Sequence, residues 1–299
     1  MGIIKAIYAL VFFFSLISSD KKNDGFAVRQ DLKAENEISY NAINVLSKDT
    51  LRIPVVHHIS RDNNGNNAAV SEQRIKKMMR DINKYYKPGK IQFFTKAIKF
   101  IDSTPWNTQF VKQDDFTESK VLASFEDENA LNIFYFIKLL NRRHGEITGG
   151  LGATALFPNQ GNNIKLSATS VEIENTATAT HEIGHYLGLY HIDDDFKDSQ
   201  GRIELVNGSN CAEAGDKICD TPASPGLKES NMKNCVYIGT ETDPIGEKYH
   251  PDTFNFMTSS GRTRADDAGL CRRHFSPEQI EKMISVLNNE RAYLITRGE

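Results

Sequence analysis

No cysteine occurs before residue 211, and the four that follow, Cys211, Cys219, Cys235 and Cys271, never form a C-x-x-C pair. That excludes zinc-ribbon spacing. In an exported chain the even number reads as two disulfides, with three pairings open. Charge of one sign is also lacking. With 36 Lys+Arg against 39 Asp+Glu the net charge is -3, which offers no broad basic field for nucleic acid or an anionic membrane. Long apolar runs are absent except near the N-terminus. There "MGIIKAIYALVFFFSLISSD" carries one Lys and an apolar run from Ala6 to Ile17, then Ser18 and Ser19. The run is too short to span a bilayer comfortably and "DKKND" follows closely, so residues 1–19 read as a secretory signal peptide. No cysteine follows the run, so a lipid anchor is not expected. The predicted destination is the extracellular space, or the periplasm of a Gram-negative host, with no stable membrane insertion.

The 299 residues, 39% hydrophobic and 25% charged, suffice for a folded domain with a real core. Residues 20–50 are polar and weakly patterned, and read as an N-terminal extension or pro-segment. Pattern begins at Leu51. In "RIPVVHHI", Ile53, Val55, His57 and Ile59 share one face of a strand, and the two histidines decorate it. Ile75, Met78, Met79, Ile82 and Tyr86 then recur at helical spacing, with Ser71 as N-cap, Val70 able to staple onto Ile75, and Pro88-Gly89 as the stop. "KIQFF" and "LNIFYFI" read as strands, the second apolar enough for burial on both faces. "GGLGATALFP" and "NIKLS" are weaker strands. This order suits an α/β sheet layered on a helix. Beyond His191 regular pattern gives way to turn-rich sequence, where all the cysteines lie; a region with little core needs covalent staples. Order returns at "FSPEQIEKMISVLNNERAYL". Ser276 and Gln279 form a capping box around Pro277, and Ile280, Met283, Ile284, Leu287 and Leu294 make the buried stripe.

The chemistry is concentrated in "HEIGHYLGLYH", residues 181–191. On a helix starting near Asn175 or Thr176, His181 and His185 project from one face, the bite a single metal ion needs. Glu182 is rotated off that face, placed to reach a metal-bound water without being a ligand. Gly188 can take the left-handed conformation that ends a helix, which lets the chain turn and bring His191 to the same ion. Three neutral imidazoles and one water make an open catalytic zinc site, in which zinc lowers the pKa of water to about 7 and Glu182 takes the proton. At this chain's composition, the added glycine and third histidine would fall in place by chance about once in 560 times. An incidental histidine-rich surface helix is therefore the weaker reading.

This stretch resembles the metzincin zinc-binding consensus, and "FNFMTS" resembles the methionine turn that lies beneath the metal in that clan. "IPVVHHI", "GDKICDTPASP", "NFM" and "C…FSPEQIEKM" are together similar to the pappalysin, or cytophagalysin, family over about residues 51–295. The resemblance implies a metzincin-like zincin fold of α/β (α+β) class. A twisted mixed sheet with helices would form an upper subdomain (51–191). It would stand above an irregular, disulfide-stapled lower one (192–299), with the substrate cleft between them. It implies a secreted zinc endopeptidase acting on proteins or peptides, with Met257 as a structural floor and not a ligand. Relatives with an aspartate shortly after the methionine turn use it to favour Arg or Lys after the scissile bond; Asp266 and Asp267 are the candidates here, against the alternative of two solvated loop acids.

Two departures stand out. Many relatives have a tyrosine two residues after that methionine, where this chain has Ser259; either Tyr249 or His250 substitutes, or turnover is slower. No cysteine precedes His181, so latency through a pro-segment cysteine on zinc is excluded. Ser259 and the long loop after Met257 motivate an alternative, a catalytically weak metzincin-fold module for binding or adhesion. His144, His250 and His274 lack ligand spacing and read as structural or surface residues. The acidic "IDDDF" is a calcium candidate without EF-hand spacing, and a solvated loop is the plainer reading.

Overall fold

The computed structural model describes residues 49–112, 121–143, 146–172, 176–228, 230–259 and 271–296. The signal segment 1–19, residues 20–48 of the extension, His144, Asp266 and Asp267 lie outside them. The described residues fall in one unit, Tyr40–Glu299. In chain order the strands are β1 (Leu51–Arg61), β2 (Ile91–Asp102), β3 (Thr108–Lys112), β4 (Leu131–Phe136), β5 (Lys138–Arg143), β6 (Glu146–Leu151), β7 (Ala153–Ala155), β8 (Asn163–Ser167), β9 (Met232–Lys233) and β10 (Val236–Tyr237). The helices are α1 (Glu72–Tyr86), α2 (Ala168–Glu172), α3 (Ala177–Tyr186) and α4 (Pro277–Asn289).

The main sheet has the order β2-β1-β4-β8-β7. Its first four strands are parallel and β7 closes one edge antiparallel. Parallel neighbours need a crossover, and α1 supplies the one between β1 and β2. Ser71 caps α1 by accepting from the Arg74 N–H, and Ile75, Met78, Met79, Ile82 and Tyr86 are its buried residues, as their spacing predicts. Each such side chain contributes about 1.5–3 kcal/mol when fully buried. The same apolar cluster takes in Ile183 and Tyr186 of α3, Met257, and Ile280, Met283 and Leu287 of α4. The helices that carry the candidate site are therefore packed on one core with the sheet.

Three expectations change. His57 and His58 do not decorate an exposed face: β1 is central, both of its faces are covered, and both rings are fully buried. His57 meets the Tyr135 hydroxyl through Nδ1 at 2.8 Å and the Thr95 hydroxyl through Nε2 at 3.2 Å. His58 Nε2 meets Asn132 Oδ1 at 2.9 Å and its ring stacks on Phe134. Burial, then the neighbouring His58, pushes the His57 pKa down to about 3. Second, β2 runs on to Asp102, well beyond "KIQFF", and a separate three-stranded sheet β3-β5-β6 forms, of which only the end of β6 falls in an expected strand, "GGLGATALFP". Third, α4 ends at Asn289; Leu294 is buried from a 3-10 turn (Ala292–Leu294) that follows it. The capping box of Ser276 and Gln279 is present.

From Ile192 to Phe275 the described chain has little regular structure beyond the β9–β10 hairpin. Of the three pairings left open, the structure has Cys211–Cys219 and Cys235–Cys271. Side chains gather much of the rest. Asp220 accepts from the Ser276 hydroxyl (2.6 Å) and the Glu278 N–H (2.8 Å), so "DTP" is tied to the start of α4. No helix among the described residues is long and apolar enough to cross a membrane.

Candidate metal centre

Helix α3 opens after Thr176 and ends at Tyr186, close to the predicted start, and Gly188 follows with φ +87. Two constraints meet at that glycine. The left-handed backbone disfavours any side chain, and a Cβ there would stand 2.9 Å from Cγ2 of Val286 on α4. The turn brings His191 back to the helix. His185 Nε2 lies 3.0 Å from His181 Nε2 and 3.1 Å from His191 Nε2. Among the described residues these three form the one cluster of His, Cys, Asp or Glu able to hold a metal ion.

The outer ring nitrogens decide what the inner ones present. His181 Nδ1–H donates to the Phe256 carbonyl at 2.7 Å, His185 Nδ1–H to the Leu189 carbonyl at 2.7 Å, and His191 Nδ1–H to Asp194 Oδ1 at 3.3 Å. Carbonyl and carboxylate oxygens only accept, so each proton sits on Nδ1 and each Nε2 turns a bare lone pair inward. Three acceptors meeting at about 3 Å repel one another unless a cation lies between them. Burial depresses the pKa of His185 to about 4, with His191 adding to the effect. Burial also pushes His181 well down, with Arg272, His185 and His191 adding to it. Both rings are thus kept neutral, the form that ligates zinc. The donor set fits the ion.

The turn at Met257 packs against the helix that carries His181 and His185. Gly184, between the two helical histidines, has no room for a Cβ, which would meet Met257 Sδ at 2.5 Å. Met257 is fully buried and its carbonyl accepts from the Ile192 N–H at 3.0 Å. The turn is held in its own place from α4. Gln279 Oε1 accepts from the Ser276 N–H (2.9 Å) and from Asn255 Nδ2 (3.0 Å), while Asn255 Oδ1 accepts from the Met257 N–H (2.9 Å).

Glu182 lines the same cleft of about 920 Å³ as the three histidines. It is buried, and burial raises its carboxyl pKa to about 8 against the opposing field of Arg272. Ser259 also lines the cleft, but its N–H donates to Asp193 Oδ1 at 2.8 Å and its hydroxyl is bonded to the same carboxylate. Tyr249 and His250 are not among the residues that line it. In the acidic run, Asp193 is occupied by Ser259 and Asp194 by His191, so the run is not simply a solvated loop. His274, read as structural, pairs with Asp252 at 2.7 Å. Sequence reasoning missed Asp194, for which the i,i+3 spacing from His191 was the available signal. It also missed Arg272, which lines the cleft from a segment without periodicity.

The geometry defines a candidate metal centre of three histidines in an α/β fold, with Glu182 in the same cleft. The family described as Pregnancy-associated plasma protein-A matches residues 148–288, and a reprolysin-like metallopeptidase family (M12B) matches residues 72–192. An extracellular metalloprotease of Arthroderma gypseum is 27% identical over 259 residues, covering 83% of this chain and 76% of its own. One from Pyricularia oryzae is 25% identical over 273 residues, covering 87% and 83%. A solved structure of a promirolysin variant from Tannerella forsythia shares the fold, with TM-score 0.53 and 15% identity over 91% of this chain and 93% of that one. Together these matches support a zinc metalloendopeptidase similar to the pappalysin-type metzincins.

Proposed function

We propose that the protein is exported and cuts internal peptide bonds of protein or peptide substrates, with His181, His185 and His191 as zinc ligands and Glu182 as general base. The observation that carries the reading is the set of three inward-turned Nε2 lone pairs with Glu182 beside them in one cleft. Bound zinc supplies Lewis acidity there, acidifying a water and polarising the carbonyl to be attacked. Glu182 has no hydrogen-bond partner of its own among the described residues; a bound cation would favour its ionised form, and the carboxylate would then be open to take a proton from water and return it to the leaving amine. The Phe256 and Leu189 carbonyls and Asp194 hold the imidazoles in one tautomer and orientation, the outer-shell task such groups perform around zinc. Met257 is the apolar floor that fixes the height of α3 through its contact with Gly184. In this reading residues 51–191 and 192–299 are the two walls of the cleft, residues 1–19 direct export, and residues 20–50 are an extension or pro-segment. The names of the extracellular relatives support export. Calcium at residues 193–195 has less support, since Asp193 and Asp194 already serve Ser259 and His191.

The test is hydrolysis of casein or gelatin by the purified chain with metal analysis alongside. Activity abolished by a chelator and restored by zinc, with zinc lost from His191→Ala, is the expected result. Hydrolysis indifferent to the chelator, or none by zinc-loaded protein, would overturn the reading.

A further inference from the structure

Arg272 is a cation in a place where cations are costly. It is only 7% exposed, lines the cleft with Glu182 and the three histidines, and makes no ion pair with a carboxylate among the described residues. Glu182 and Asp193 act on it only through their fields, and Asp193 is already taken by Ser259. Burial lowers its pKa to about 10, so it stays charged at neutral pH. A buried charge is retained where a partner of opposite sign pairs with it. Among the described residues no carboxylate pairs with it.

The way the guanidinium is held shows what it can receive. Nε donates to the Thr258 hydroxyl at 3.1 Å and Nη2 to the Thr258 carbonyl at 2.5 Å. These two bonds use the side edge of the fork and lock its plane. The end edge, with one N–H on Nη1 and a parallel one on Nη2, has no partner among the described residues. Two parallel donors fit a carboxylate bidentately, a match that a single oxygen atom does not fill. The backbone beneath is anchored as well: Cys271 is bridged to Cys235, and Arg273 N–H donates to the Phe254 carbonyl at 2.7 Å. Arg272 is therefore a preorganised receptor edge, close enough to the reaction centre for its field to reach both Glu182 and His181.

We infer that Arg272 is a specificity residue that binds a substrate carboxylate, so that the cleft selects peptides carrying Asp or Glu beside the bond to be cut. The inference rests on the peptidase reading above. Its test uses C-terminally amidated peptides in matched pairs, Asp against Asn and Glu against Gln, at each position flanking the scissile bond. Cleavage and binding are measured separately, the binding on zinc-loaded Glu182→Gln by calorimetry.

The expected result is an acid-over-amide ratio of roughly tenfold or more in kcat/KM and in affinity, since an unfilled polar receptor rejects the partner that cannot bond to it. In Arg272→Gln that ratio should collapse toward one, and Arg272→Lys should retain part of it. A residue that merely supported the fold would move both members of a pair together and leave their ratio unchanged. If the zinc-loaded protein cleaves nothing, an Arg272-dependent acid preference in binding still supports the receptor while the peptidase reading falls. Four results would overturn the inference: no acid preference, a preference that survives Arg272→Gln, selection of Arg or Lys through Asp266 or Asp267, or Arg272-dependent binding of neutral peptides only when their C-terminus is a free acid.

Discussion

The two halves of this molecule are held together by different physics. From Leu51 to Ser167 the chain is a set of backbone ladders, with apolar side chains covering both faces of β1 and β4. From Ile192 to Phe275 the ladders nearly vanish. Order there comes from two disulfides and from side chains that accept backbone N–H groups, such as Asp198, Asp216, Asp220, Asp243 and Asn255. The candidate centre draws on both. Its helix is packed on the sheet core, whereas the carbonyl that orients His181 and the carboxylate that orients His191 come from the loop-built half. The lesson is a division of labour: the sheet half carries the helix of the histidine cluster, and the loop half sets which way two of its three rings face.

Four experiments would break or sharpen that comparison. The largest effect belongs to Glu182→Gln, which should leave zinc content and unfolding temperature near those of the parent. Activity should drop by at least about a hundredfold, the scale of general-base catalysis. Parallel loss of metal would show that Glu182 serves the loop half's orienting task and not the chemistry. Next is removal of the Cys235–Cys271 bridge by a double serine substitution, worth about 2–4 kcal/mol by analogy with other native disulfides. Hydrogen exchange should rise across residues 192–275 while β1 and β4 stay protected. Uniform loss of protection would mean that the halves unfold as one.

Asp194→Asn comes third. It removes the charge behind His191 but not the ring, so zinc affinity should weaken by about 10–100-fold with little change in melting of the metal-free protein. Competition with a chelator of known affinity measures this, and unchanged affinity would sink the orienting role.

The smallest effect concerns the sheet half. His57 takes a proton at about 6.5 in the unfolded chain but only at about 3 when folded. The unfolded state therefore binds the extra proton between those values, and stability is lost as pH falls from 6.5 toward 3. The slope contributed is at most about 1.4 kcal/mol per pH unit. Urea titrations at pH 7.5, 6 and 5 should show a shallower pH dependence in His57→Gln than in the parent. Equal slopes would show that His57 is not the group responsible.

Legibility in the sequence follows the same division. The histidine cluster, α1 and α4 were readable because local spacing and caps determine them: a four-residue step from His181 to His185, Ser71 before α1, Ser276 with Gln279 at α4. The second half of β2 was not, because Lys96 and Lys99 interrupt its apolar pattern and its order comes from pairing with β1. Strands β3 and β5 of the small sheet were missed likewise, with charged Lys138 and Arg142 in β5. Arg272 was illegible because its meaning lies in Thr258, fourteen residues away in a sequence without periodicity. Asp194 could be seen, but as one of three acids in a row; only the fold says which of them faces a ring.

The bond from Gln279 to Asn255 has a consequence for how the protein is made. A growing chain has all three histidines once residue 191 is synthesised, yet the turn that orients the first of them waits on a residue 88 positions later. Until α4 has been made and docked, His181 lacks its carbonyl and Gly184 its sulfur neighbour. Metal capture in the finished geometry is therefore a late event in biogenesis. A chain made only to residue 191 has the three histidines but not the turn that meets His181 in the finished fold.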